Sequence, residues 1–149
     1  MDIGDAQPTV AMDHVGIVVD DLAAAAAFFI ALGLEREGDG SVTGPEVDRI
    51  VGLDGVQADI VFLRPPNGHG GVELVRFRTP EQPAGDAAAP AHVPGLRHVA
   101  FRVDDADAAL ERLRGHAGEP VGAVEEVGGH RLVYVRGPAG IIVELAQRL

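Results

Sequence analysis

The spacing of hydrophobic and polar positions along this chain changes in a fixed order, and that order occurs twice. Residues 12–19 alternate and are rich in β-branched side chains, which predicts a strand. Asp20 and Asp21 then offer an N-cap to an Ala-rich helix ending near Gly33. Strand character returns at 34–39, 57–64 and 71–77, and within 40–56 the stretch Glu46 to Leu53 predicts a short helix. The second half follows the same plan. It has a strand over 97–103, a cap at Asp104-Asp105, a helix over 106–115, and strands near 120–126, 130–136 and 140–147. Residues 78–94 contain Pro80, Pro83, Pro90 and Pro94, which mark a linker. The expected class is therefore α+β. A first βαβββ module covers 12–78, a Pro-rich linker 79–94, and a second βαβββ module 95–149.

The two halves repeat in residues as well as in period. His14-Val-Gly-Ile-Val-Val-Asp-Asp returns as His98-Val-Ala-Phe-Arg-Val-Asp-Asp, and the Glu73 strand returns around Glu144. His14 to Glu73 spans 59 residues and His98 to Glu144 spans 46, so the first copy carries 13 more, placed in 40–56.

Strand alternation assigns each of these residues a face. Val15, Ile17 and Val19 oppose His14, Gly16 and Val18, while Val99, Phe101 and Val103 oppose His98, Ala100 and Arg102. Val72 and Leu74 oppose Glu73, and Val143 and Leu145 oppose Glu144. Four times the large aliphatics face one way and the His or Glu faces the other. Two curved sheets with this pattern are able to point all four polar residues into one concavity. A carboxylate in such a place is costly unless it is paired or bound to metal. A lone strand His or Glu is ordinarily a hydrogen-bonded or surface residue. Four in symmetric positions point to one shared divalent cation, and nitrogen and oxygen donors suit Zn, Ni, Co, Mn or Fe(II).

Composition narrows the chemistry. The chain has 149 residues, no cysteine, no lysine and a single serine, Ser41, so thiolate and Schiff-base mechanisms are excluded. Histidine, carboxylates, arginine and Tyr134 remain. A net charge of −11 repels nucleic acid. The longest apolar run, Leu22 to Leu34, is too short to span a bilayer, so a cytoplasmic protein without membrane contact is expected. Arg102 shares the His98 face and is placed to meet an anionic substrate, although such an arginine more often pairs with a nearby acid. His69 and His130 fall in turns, His92 in the linker and His116 at a helix end, and Tyr134 reads as a packing residue.

The segments Asp13-His-Val-Gly-Ile-Val-Val-Asp-Asp-Leu, Phe29-Ile-Ala-Leu-Gly-Leu, Gly71-Val-Glu-Leu, Arg97-His-Val-Ala-Phe-Arg-Val-Asp-Asp and Tyr134-Val-Arg-Gly-Pro-Ala-Gly-Ile-Ile-Val-Glu-Leu cover most of the chain. In their order and spacing they resemble the vicinal oxygen chelate superfamily, which includes glyoxalase I, methylmalonyl-CoA epimerase, extradiol dioxygenases and bleomycin resistance proteins. The resemblance implies paired βαβββ modules forming a cup-shaped mixed sheet, with metal ligands at His14, Glu73, His98 and Glu144. It also implies a divalent-metal-dependent isomerase, epimerase or lyase in which Glu144 or Glu73 transfers a proton on a small-molecule substrate. The alternatives are an Fe(II) ring-cleaving dioxygenase using His14, His98 and Glu144, and a metal-free antibiotic-binding protein. A homodimer is expected, with the cup formed inside one chain or between two.

Overall fold

In a computed structural model that describes residues 8–149, the opening alternating stretch forms β1 (His14–Val18). The chain then enters α1 (Leu22–Leu32), whose N-cap Asp21 accepts from the Ala24 amide at 2.9 Å. Strands β2 (Glu35–Thr43), β3 (Gln57–Arg64) and β4 (Gly71–Thr79) complete a sheet in the order β1-β4-β3-β2. β1 runs parallel to β4, and the other pairs are antiparallel. The second half builds β5 (Val99–Arg102), α3 (Ala106–Arg114), β6 (Glu119–Pro120), β7 (Glu125–Val127), β8 (His130–Arg136) and β9 (Ile142–Arg148). Its sheet runs β5-β9-β8-β6, with β7 also paired to β8. The α3 cap repeats the first, Asp105 accepting from the Ala108 amide at 3.0 Å. The fold is α+β with two mixed sheets, as the alternation implies.

Two elements differ from the sequence reading. β2 continues to Thr43 although Gly38, Asp39, Gly40 and Ser41 are poor strand formers. They pair with Phe62, Val61, Ile60 and Asp59 of β3, and that partner overrides local propensity. The rest of the 40–56 segment is α2 (Pro45–Val51), which starts on a proline in its first turn and ends at Gly52 with φ +77°. The single strand expected near 120–126 is two short ones, β6 and β7. Pro120 cannot donate to a ladder and Gly122 weakens its continuation.

The decisive feature is how the halves meet. α1 carries no polar side chain over its length, and Ala25, Ala26, Phe28, Phe29 and Leu32 are buried. A helix apolar on all sides needs more than one partner. One face of α1 lies on its own sheet. The other meets α3 and the second sheet, with Phe29 packed edge-on to Phe101 at 6.2 Å. Phe28 sits so near Gly137 that a Cβ there would come within 2.8 Å of the ring. Val61, Leu63, Val72 and Leu74 of one sheet and Val133, Val135, Val143 and Leu145 of the other join a single core with both helices. Each sheet thus covers the shared core with one face and leaves the other bare.

The Pro-rich linker straps the halves together. Gln82 accepts from the Phe77 amide and donates to the Val19 carbonyl at 3.2 Å, holding the linker to the ends of β4 and β1. Further along, Arg97 and Arg136 donate to the Ala89 carbonyl at 3.0 and 2.9 Å, and Arg136 also reaches Ala87 at 3.2 Å. No helix among the described residues is long and apolar enough to cross a membrane.

Candidate functional site

His14 and Glu73 stand on neighbouring parallel strands, where Gly16 is the register partner of Glu73. Gly16 borders open space, where an added Cβ would meet nothing within 4 Å. The His14 Nε2 faces a Glu73 carboxylate oxygen at 3.7 Å, and its Nδ1 lies 2.6 Å from the Asp13 carboxylate. An acceptor this close to Nδ1 selects the tautomer that carries its proton there and leaves the Nε2 lone pair facing Glu73. The same hydrogen bond, the largest influence, holds the Asp13 carboxyl below its ordinary value against desolvation, with weaker help from the charges of His14 and Arg64. Phe62, opposite Glu73 on β3, sets its ring edge-on to His14 at 5.1 Å.

The second module builds the same unit from different second partners. Ala100 is the register partner of Glu144, and His98 Nε2 faces the Glu144 carboxylate at 3.4 Å. Tyr134, opposite Glu144 on β8, occupies the position that Phe62 has in the first copy. Its ring stacks tilted on His98 at 4.8 Å, and its hydroxyl lies 3.3 Å from His98 Nδ1. Each imidazole therefore has one nitrogen engaged and the other turned to a carboxylate.

These are two half-sites, and one chain does not join them. Among the described residues no group of three or more His, Asp or Glu side chains is close enough to hold one ion. Of the two arrangements left open by the sequence, a cup inside one chain or between two, a single chain therefore brings the four residues together only as two pairs. Alternation placed all four side chains opposite the core as foreseen, but the sheets meet through their helix faces, so both half-sites face away from that core. They are also open. His14 and Glu73 keep 36% and 29% of their side-chain surface exposed, and His98 and Glu144 keep 38% and 19%.

Two cavities among the described residues lie beside the half-sites and include none of their four side chains. One of about 410 Å³ lies at the seam of the modules, lined by Leu34, Pro65, Phe101, Arg102, Asp104 and Arg112. Another of about 740 Å³ lies under the linker, against Val18, Leu53, Phe77, Pro80 and Pro83. Val18 and Phe77 belong to the open face of the first sheet, so this apolar hollow continues the surface that carries Glu73.

Two participants escaped the sequence reading. Asp13 directly precedes His14, and adjacent strand residues point to opposite faces, so alternation argues against contact. β1 begins only at His14, which leaves Asp13 free to turn toward the ring. Tyr134, read as packing, does pack, and also offers its hydroxyl to His98. The available signal was its place one strand over from Glu144, matching Phe62 and Glu73. His130 keeps to its turn, bonded to the Gly128 carbonyl at 3.1 Å.

The Glyoxalase/Bleomycin resistance protein/Dioxygenase superfamily matches this chain over residues 13–134. A glyoxalase family protein from Bacillus cereus has 37% sequence identity to it and a TM-score of 0.91, over 98% of this chain and 99% of the other. A glyoxylase/bleomycin resistance protein/dioxygenase domain from Frankia aligns at 18% identity and TM-score 0.66, covering 95% and 100% of the two chains. TnmS3, an antibiotic binding protein from Streptomyces, aligns at 18% and 0.63, covering 97% and 100%. At those lower identities the likeness is one of fold. No match was found among curated proteins.

Proposed function

Since the chain belongs to the glyoxalase/bleomycin resistance protein/dioxygenase superfamily, we propose that it is a divalent-metal-dependent isomerase, epimerase or lyase. In this reading the complete site forms between two copies of the chain. The observation that carries it is the duplicated unit: an imidazole with Nδ1 engaged and Nε2 turned to a carboxylate, bare on an open sheet face, in each module. Two donors are too few for a protein metal site, which takes three or four. His14 and Glu73 of one copy with His98 and Glu144 of another supply four, with two imidazoles and two carboxylates to balance a dication.

That donor set fits Zn, Ni, Co, Mn or Fe(II). Such an ion supplies Lewis acidity toward two neighbouring substrate oxygens. The chain's own residues do the rest. Glu73 and Glu144 are partly exposed carboxylates placed to take a proton from the substrate carbon beside those oxygens and return it. Asp13 and Tyr134 hold the two rings in orientation. The flanking Phe62 and Tyr134 rings limit water on that side.

The dioxygenase reading leaves Glu73 without a role, whereas Glu73 faces His14 as Glu144 faces His98. The metal-free binding reading has one feature of its own, the apolar hollow under the linker.

A mixing experiment tests the proposal. A His14→Ala/Glu73→Gln chain and a His98→Ala/Glu144→Gln chain are each expected to bind no metal. Refolded together, they form heterodimers with one intact site each, and metal measured by elemental analysis returns. Wild-type protein that takes up no metal, or a mixture that stays empty beside a metal-loaded wild type, would overturn the shared site.

A further inference from the structure

The two open faces agree at the His–Glu pair and part company just beyond it. Four residues after His14 and Glu73 stand Val18 and Phe77; four residues after His98 and Glu144 stand Arg102 and Arg148. The fold itself does not require the arginines, since the first copy makes the same strands with apolar residues there. Their direction is fixed by their neighbours. Phe101 packs against the core and Gln147 accepts from the Ala106 amide at the start of α3, so Arg102 and Arg148 point to the bare side. Arg102 is the register partner of Ala146, two residues before Arg148 on the adjacent strand. A strand spacing of about 4.8 Å and a rise of about 3.3 Å per residue put the two Cα atoms roughly 8 Å apart. Two long side chains on one face at that spacing are able to grip a single oxyanion.

The charge pattern sharpens the point. In a chain of net charge −11, nine of the twelve arginines have a side-chain hydrogen bond or ion pair. Among the described residues Arg49, Arg102 and Arg148 have none, and two of these three share this face. Asp104 and Asp105 follow Arg102 in sequence, yet neither forms an ion pair with it.

We infer that Arg102 and Arg148 form an anion subsite for a terminal oxyanion of the substrate, a carboxylate or a phosphate monoester, separate from the oxygens placed between the His–Glu pairs. Arg148 lies four residues along β9 from Glu144, so the anionic group and the chelating oxygens are on the order of 13 Å apart or less along the strand. The assignment of the anion to the substrate rests on the proposed function, whereas the subsite rests only on this chain's second module.

The test is a titration of metal-free, full-length protein with inorganic phosphate and, separately, acetate at constant ionic strength, read by the side-chain Nε resonances of arginine. Arg102 and Arg148 are expected to shift together with one dissociation constant of about 1 mM or tighter, while Arg49 stays still. In an Arg102→Gln protein the Arg148 response weakens ~10-fold. Tighter phosphate binding identifies a phosphate ester, and tighter acetate binding a carboxylate. Equal responses from all three arginines, no response, or an Arg148 response indifferent to Arg102→Gln overturns the subsite. Because no metal is present, these outcomes do not depend on whether the proposed metal site stands.

Discussion

In one module the open sheet face runs from His14 and Glu73 to Val18 and Phe77; in the other it runs from His98 and Glu144 to Arg102 and Arg148. The starts are alike and the ends are opposite in character. The unlike pair of second partners, Asp13 on His14 and Tyr134 on His98, belongs to the same divergence. Beneath these faces the modules do not diverge. Leu74 and Leu145, each next to its carboxylate in sequence, are fully buried in one common core. The comparison separates what the fold needs in duplicate from what a ligand needs only once.

The largest effects are expected in the shared core. Leu74→Ala and Leu145→Ala should each lower stability by about 2–5 kcal/mol, because each opens a cavity in fully packed surroundings. Followed by circular dichroism in urea, both variants should still unfold in one transition. Two separated transitions would show that the modules are stable apart and would break the single-core description.

Replacing the second partners should sharpen the contrast between half-sites. Asp13→Asn removes a charged acceptor and is expected to weaken metal binding about tenfold, the low end for second partners because Asp13 is exposed. Tyr134→Phe keeps the ring and loses only a neutral hydroxyl, so its effect should be smaller. Competition with a chelator measures both. A larger loss in Tyr134→Phe would reverse the ranking of the two imidazoles.

The smallest effects test equivalence. Asp21→Ala and Asp105→Ala each delete one cap hydrogen bond of nearly equal length and should each cost about 1 kcal/mol in thermal unfolding. A cost in one helix alone would show that the other helix end is held by tertiary contacts.

Much of this was legible because it is local. Period-2 alternation assigned Val15, Ile17, Val72 and Leu74 to the core side and His14 and Glu73 to the other, since successive strand residues alternate whatever lies beyond them. The caps at Asp21 and Asp105 followed from acidic residues just before helical periods. The course of β2 was less legible, because Gly38 to Ser41 take strand geometry from β3 and not from their own propensity. Asp13 was missed because its contact depends on β1 starting one residue later.

The sequence by itself determined the two βαβββ units, their repeat, and the side of each strand on which His14, Glu73, His98 and Glu144 stand. Only the tertiary structure decided that the units meet helix to helix. Alternation specifies the two faces of a sheet but not which outer surface of one unit meets another. That choice was made by α1, whose uninterrupted apolar surface leaves a second face to bury, against α3, Phe101 and Gly137. With the helix faces spent on each other, the polar faces remain bare, and four residues that repeat in sequence stand as two half-sites in space.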